Sequence, residues 1–216
     1  MAVHISLTDF LTFNASKSQR AKRHFVSRIQ NRPDYNPAFD FWLDLRRAIK
    51  KLPDNNQDLS VLDDLAISEP ENKQNKRANY LKAVSSFKRF VKHESPEMFS
   101  TKDVKNIWTM EDKLEVNVSP EIGMKINGTE YLVKIYFKVK NPNVSVGKQN
   151  VTSTLAMLKT ALEASGETRP CAILNIQNGK LITESQQDVA DDELDLELEA
   201  LNFVNTWNRT DRQTHS

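Results

Sequence analysis

The dipeptide Asn127-Gly128 constrains this chain more than any other feature. It separates two alternating runs, 121–126 and 129–138, and a two-residue type I′ turn needs positive φ at both central positions, which Asn and Gly tolerate. Taking those two residues as the loop sets Ile122 against Val133 and Met124 against Tyr131 on one face. The other face sets Glu121 against Lys134 and Lys125 against Glu130. One side is apolar and the other pairs opposite charges twice, so turn chemistry and side chains predict the same register. Each exposed charge pair contributes only about 0.2–1 kcal/mol, so the pairs set register more than stability.

Around this hairpin the second half of the chain reads as mixed structure. Leu114, Val116 and Val118 alternate with Lys113, Glu115 and Asn117, the period of a half-buried strand. Val151, Leu155, Leu158 and Leu162 have helical spacing, which Gly166 terminates. The run 171–176 reads as a buried strand, with Asn178-Gly179 turning it into a second hairpin. A last helix over 191–207 carries Asp191, Asp192, Glu193, Asp195, Glu197 and Glu199 at its front, and Leu194, Leu198 and Leu201 form a stripe along it.

The first half is helical and broken by prolines; all five glycines lie beyond residue 122. Ser6 with Asp9 opens a short helix through Phe13, a second is expected from about Lys17 to Ile29, and a third carries Phe41, Trp42, Leu45 and Ile49 toward Leu52. Residues 53–78 read as a loop with about one helical turn, and Tyr80, Val84, Phe87 and Val91 mark a long helix over 79–93. The expectation is an α+β protein: a helical N-terminal region (1–78) packed on a small, mostly antiparallel sheet within an α/β core (79–208), then a frayed tail (209–216).

Composition narrows the chemistry. Of 216 residues, 38% are hydrophobic and 27% charged, a globular profile, and the net charge of +1 conceals +6 over residues 1–110 against −5 over 111–216. No apolar run approaches 18 residues and the opening residues lack a signal-peptide pattern, so no membrane partner and a cytoplasmic location are expected. The lone Cys171 sits in an apolar run and cannot build a thiolate cage. His4, His24, His93 and His215 have no ligand spacing, and there is neither a Walker loop nor a nucleophile elbow. No metal or cofactor is expected, and the balance leans away from an enzyme.

The order helix, strand, strand, strand, helix, strand over 79–93, 113–118, 121–126, 130–139, 150–163 and 171–176 resembles the core of the PD-(D/E)XK nuclease-like fold. That resemblance implies a carboxylate on one hairpin strand and Glu-x-Lys on the next, holding a divalent metal for phosphodiester hydrolysis. Its pattern falls on Gly123, Tyr136 and Lys138, so only the lysine survives, and hard cations need anionic oxygen ligands. Glu121 is the candidate relocated acid, facing Lys134. The chain is also similar to a set of uncharacterised bacterial proteins, through the patches Tyr35-Asn36-Pro37-Ala38-Phe39-Asp40-Phe41-Trp42 with Leu45-Arg46, Ser119 to Lys138, and Ile173-Leu174-Asn175 with Gly179-Lys180-Leu181. That likeness implies bacterial origin and no particular activity.

Two sets of residues suit a polyanion. On a helix, Lys17, Arg20, His24, Arg28 and Arg32 fall along one side, with Arg46, Arg47, Lys50 and Lys51 on the next helix. Lys134, Tyr136 and Lys138 share the polar hairpin face. Asp40 and Arg46, six apart, do not share a helix face, and Asp40 reads as a cap. The leading expectation is therefore a catalytically degenerate nuclease-like module that binds nucleic acid or another phosphate-bearing partner. The alternatives are a protein-interaction or assembly factor working through 191–207, and a metal-dependent nuclease using Glu121. The bland reading of the basic stripe is a partner for the protein's own acidic C-terminal helix.

Overall fold

The computed structural model describes residues 2–33, 40–69, 75–137, 141–183 and 189–214. A short strand β1 (Val3–Ser6) leads into α1 (Leu7–Asn14), whose N-cap Ser6 accepts a hydrogen bond from the Asp9 amide at 3.1 Å. Ser18 caps α2 (Gln19–Gln30) in the same way. Helix α3 (Leu43–Lys50) runs into a 3-10 turn over Leu52–Asn55, in which Pro53 occupies an early position where no amide donor is needed. The stretch expected as a loop holds α4 (Ser60–Ser68), which buries Leu62 and Ala66. Two apolar anchors in a polar segment give a weak periodic signal, and packing against a neighbouring helix supplies what propensity does not.

Helix α5 (Lys76–Glu94) ends at Ser95, and three short strands follow: β2 (Glu97–Phe99), β3 (Asn106–Met110) and β4 (Leu114–Val118). The hairpin comprises β5 (Ile122–Ile126) and β6 (Thr129–Tyr136). Its register pairs Ile122 with Val133, Met124 with Tyr131 and Lys125 with Glu130, as turn chemistry predicts, and Asn127 and Gly128 have φ of 50° and 85°. Then come α6 (Lys148–Glu163), β7 (Cys171–Asn175), β8 (Lys180–Thr183) and α7 (Val189–Thr214). The last helix extends past Arg209, where a frayed tail was expected.

The class is α+β, with two sheets among the described residues. The larger has the order β2-β5-β6-β7-β8, antiparallel except where α6 crosses over to make β7 parallel to β6. The smaller has the order β1-β4-β3, with β1 parallel to β4. This corrects the expected core order. Residues 114–118 alternate as a strand should, but they belong to the smaller sheet, and the strand beside β5 is Glu97–Phe99. Three residues are too few for a period-2 pattern to register, whereas β4 is long enough to show one.

Both faces of the large sheet are covered. Leu132, Tyr136, Cys171 and Ile173 face one core, shared with α1, α2, α6, α7 and the smaller sheet; Ile122, Met124, Val133, Ile135 and Leu174 face a second, shared with α3, α4 and α5. Helix α6 lies inside the first core and buries nine of its sixteen residues. On α7, Phe203 meets Phe13 edge to face at 5.0 Å, and Lys22 of α2 reaches Glu199 at 2.9 Å while lying over the Phe13 ring. The basic α2 and acidic α7 thus pack together, anchored by aromatic burial and by the Lys22–Glu199 ion pair.

Candidate functional site around the carboxyl end of β6

The residues singled out by sequence divide three ways. Lys138 lies outside the described residues. Lys134 and Tyr136 project from the face covered by the first core, and both are buried, 7% and 4% exposed. At the Lys134 and Tyr136 end the hairpin's second face is therefore not the accessible polar surface expected, while Lys125 and Glu130 near the turn stay exposed. Charge alternation in a strand marks only that the side chains differ from those opposite; helices arriving from elsewhere in the chain decide whether that face meets water.

Glu121 stands just before β5 and faces Lys134 at the end of the paired region. Its carboxylate accepts from the Lys134 ammonium at 2.7 Å and, through the other oxygen, from the Ile135 amide at 2.7 Å. Lys134 also donates to the Ser119 carbonyl at 3.4 Å. Glu121 is only 4% exposed, so both its oxygens serve the chain itself. Removing either partner of such a pair leaves an uncompensated buried charge.

Gly123, the position of the first carboxylate that the resemblance implies, is equally closed. Gly123 pairs with Phe99 of β2, whose ring covers the space above the glycine. The guanidinium of Arg169 lies 5.1 Å over that ring, and Glu167, hydrogen-bonded to Arg169, is held at a pKa of about 2. Among the described residues, no group of three or more His, Cys, Asp or Glu is placed to hold a metal ion.

Two residues further along β6, the Tyr136 hydroxyl lies 3.4 Å from Thr12 Oγ1 of α1. Burial pushes the phenol up to about 12, with the charge of nearby Asp9 acting in the same direction against the Thr12 hydrogen bond. Asp9 is itself buried and accepts two hydrogen bonds from the Arg32 guanidinium, at 3.0 and 3.3 Å. Arg32, the last member of the stripe, is thereby paired with Asp9 while its side chain stays about half exposed, at 49%. Lys17, Arg20 and Arg28 remain exposed, with Arg28 lying 5.6 Å from the Phe25 ring centre.

On the other side of the sheet, α3 carries Arg46 and Lys50. Arg46 donates to Asp40, which also accepts from the Trp42 amide at 3.2 Å. Asp40 precedes the helix rather than lying on it, so it meets Arg46 without sharing a helix face with it. Lys50 is exposed as a residue, but its ammonium is held below the ordinary lysine range, chiefly by burial, and it senses Glu121, Lys134 and Arg46 electrostatically. Lys50 thus links two ion pairs electrostatically, Arg46 with Asp40 at the start of α3 and Lys134 with Glu121 on the hairpin. Helix α2, which belongs to the first core, does not share this cluster. Sequence spacing misses the convergence because Lys50 and Lys134 are 84 positions apart and no local periodicity links them.

The fold and the cluster define an α+β protein with a buried ion-paired junction at one strand end and a charged helix beside it. Compared with family models and with curated proteins, the sequence matches none.

Proposed function

We propose that this chain is a catalytically degenerate nuclease-like module that binds a phosphate-bearing partner, nucleic acid being the class that fits best, at the junction of α3 with the end of β6. The observation that carries the reading is that Lys50, on the same helix as Arg46, senses the charges of Lys134 and Glu121, which links two basic sets that are remote in sequence. Glu121 neutralises Lys134 and Asp40 neutralises Arg46, so the pairs build a rigid floor. Lys50, with the exposed Arg47 and Lys51 next to it, supplies the charge open to a ligand. Once β3 and β4, which belong to the smaller sheet, are set aside, α5, β2, β5, β6, α6 and β7 follow one another as helix, three strands, helix and strand, which supports the nuclease analogy although the first strand is not the one expected. The closed Gly123 and the committed Glu121 support a degenerate rather than a hydrolytic role, because Mg²⁺ chemistry needs free carboxylate oxygens.

The test is retention of DNA and RNA at several salt concentrations by the full chain and by Lys50→Glu, Arg47→Glu and the double variant. Both residues are exposed, so the fold tolerates the change. The double variant is expected to lose about tenfold or more in affinity and to show a shallower salt slope, by about 0.7–0.9 for each phosphate contact removed. Arg20→Glu/Arg28→Glu on α2 serves as the comparison. Equal, salt-independent and negligible retention by wild type and variants sinks the reading. Loss confined to the α2 variant moves the interface to that helix.

A further inference from the structure

Helix α7 has two apolar faces, and the fold uses one. Leu196, Ala200, Phe203 and Val204 are buried in the first core, whereas Leu194, Leu198 and Leu201 are 54%, 55% and 41% exposed. Spacings of four and three align these leucines in one row, and Asn205 and Asn208 continue the row as exposed polar residues. The row is about 10 Å long, two turns of helix. Leucine is a good helix former, which accounts for its use singly but not for its alignment away from the core. Carboxylates flank the row on both sides: Asp191 and Asp195 along one edge, Glu193 and Glu197 along the other, all exposed.

We propose that this face of α7 docks a helix that presents apolar residues at a matching spacing of three and four, with lysine or arginine along its edges. Charge complementarity selects that occupant. A second copy paired through the same face, in either direction, sets four carboxylates against four around the leucines, and like charges held at an interface are unfavourable. The basic stripe of α2 in a second copy offers Arg20, Arg23, His24 and Arg28, but no exposed apolar side chain to cover the leucines. A partner with apolar anchors and basic edges satisfies both parts of the surface, as helix-in-groove recognition does elsewhere. This site is independent of the α3–β6 junction, and neither reading requires the other.

The test uses a synthetic three-heptad helical peptide with leucine at the seam and lysine at the flanks, beside the same peptide with glutamate at the flanks, titrated by fluorescence anisotropy against the full chain. The lysine peptide is expected to bind in the micromolar range and the glutamate peptide at least tenfold more weakly. Leu194→Ser/Leu198→Ser and Glu193→Lys/Glu197→Lys are each expected to weaken the lysine peptide at least tenfold, and raising the salt tenfold to weaken wild-type binding. Circular dichroism of the variants should match wild type, because none of these side chains enters the core. Indistinguishable affinities of wild type and the serine variant overturn the proposal. So does a wild-type dimer in light scattering that Leu194→Ser/Leu198→Ser converts to monomer, since a second copy would then be the occupant.

Discussion

A Cβ atom built on Gly123 would lie 1.9 Å from the Phe99 ring, which rests on the glycine from the neighbouring strand. The contact explains why this hairpin position carries no side chain: the space above it is filled by an aromatic ring, itself covered by Arg169.

Gly123→Ala is therefore expected to destabilise the protein by about 1–3 kcal/mol, the usual cost of overpacking. Introducing Phe99→Ala into the same background should shrink the penalty of the alanine, as a double-mutant cycle by urea unfolding will read. Additive effects of the two changes would count against the steric account.

Glu121→Leu leaves the Lys134 ammonium buried without its carboxylate and is expected to cost about 3–5 kcal/mol. Pairing it with Lys134→Met replaces both charges by apolar groups and should restore a large part of that loss. The comparison is made by urea unfolding at neutral pH, and a single variant costing less than about 1 kcal/mol would show that the pair is not desolvated.

Tyr136 gives a pH signature. Its folded pKa of about 12 stands above the ordinary phenol value of 10, so the native state keeps a proton that the unfolded chain gives up. The resulting stability is complete below pH 10 and is lost as pH rises from 10 toward 12. Tyr136→Phe should flatten that part of the stability profile and remove the latest step of the tyrosinate absorbance titration. Tyr80, also shifted upward by burial and hydrogen-bonded to the Phe41 carbonyl at 2.7 Å, is the control, examined as Tyr80→Phe.

The two faces of α7 should respond oppositely to truncation. Phe203→Ala removes a fully buried ring packed on Phe13 and is expected to cost about 3–5 kcal/mol. Leu198→Ala removes a half-exposed side chain and should stay within about 0.5 kcal/mol of wild type. Thermal melts of the two variants side by side will show whether the helix is held by one face only.

Much of the local structure was legible in the sequence. Asn127-Gly128 and the charge pairs beside it defined the hairpin register; Ser6 with Asp9 defined the start of α1; the spacing of Tyr80, Val84 and Phe87 defined α5. Strands β1, β2 and β3 were not legible. Their three to five residues acquire strand geometry from partners far along the chain, as Val3 does from Leu114 and Phe99 from Gly123. The leucine row on α7 was visible as a periodic pattern, but a periodic pattern does not say which of two stripes faces the core.

By itself, then, the sequence determined the elements whose cause is local: the turn that Asn and Gly permit and the helices that apolar spacing and caps define. Tertiary structure alone decided that β4 joins a second sheet, that Lys134 and Tyr136 are buried, and that Lys50 senses the charge of Lys134. Solvent exposure and electrostatic environment are properties of what is nearby in space. For residues many positions apart, that neighbourhood exists only once the helices have packed on the sheet.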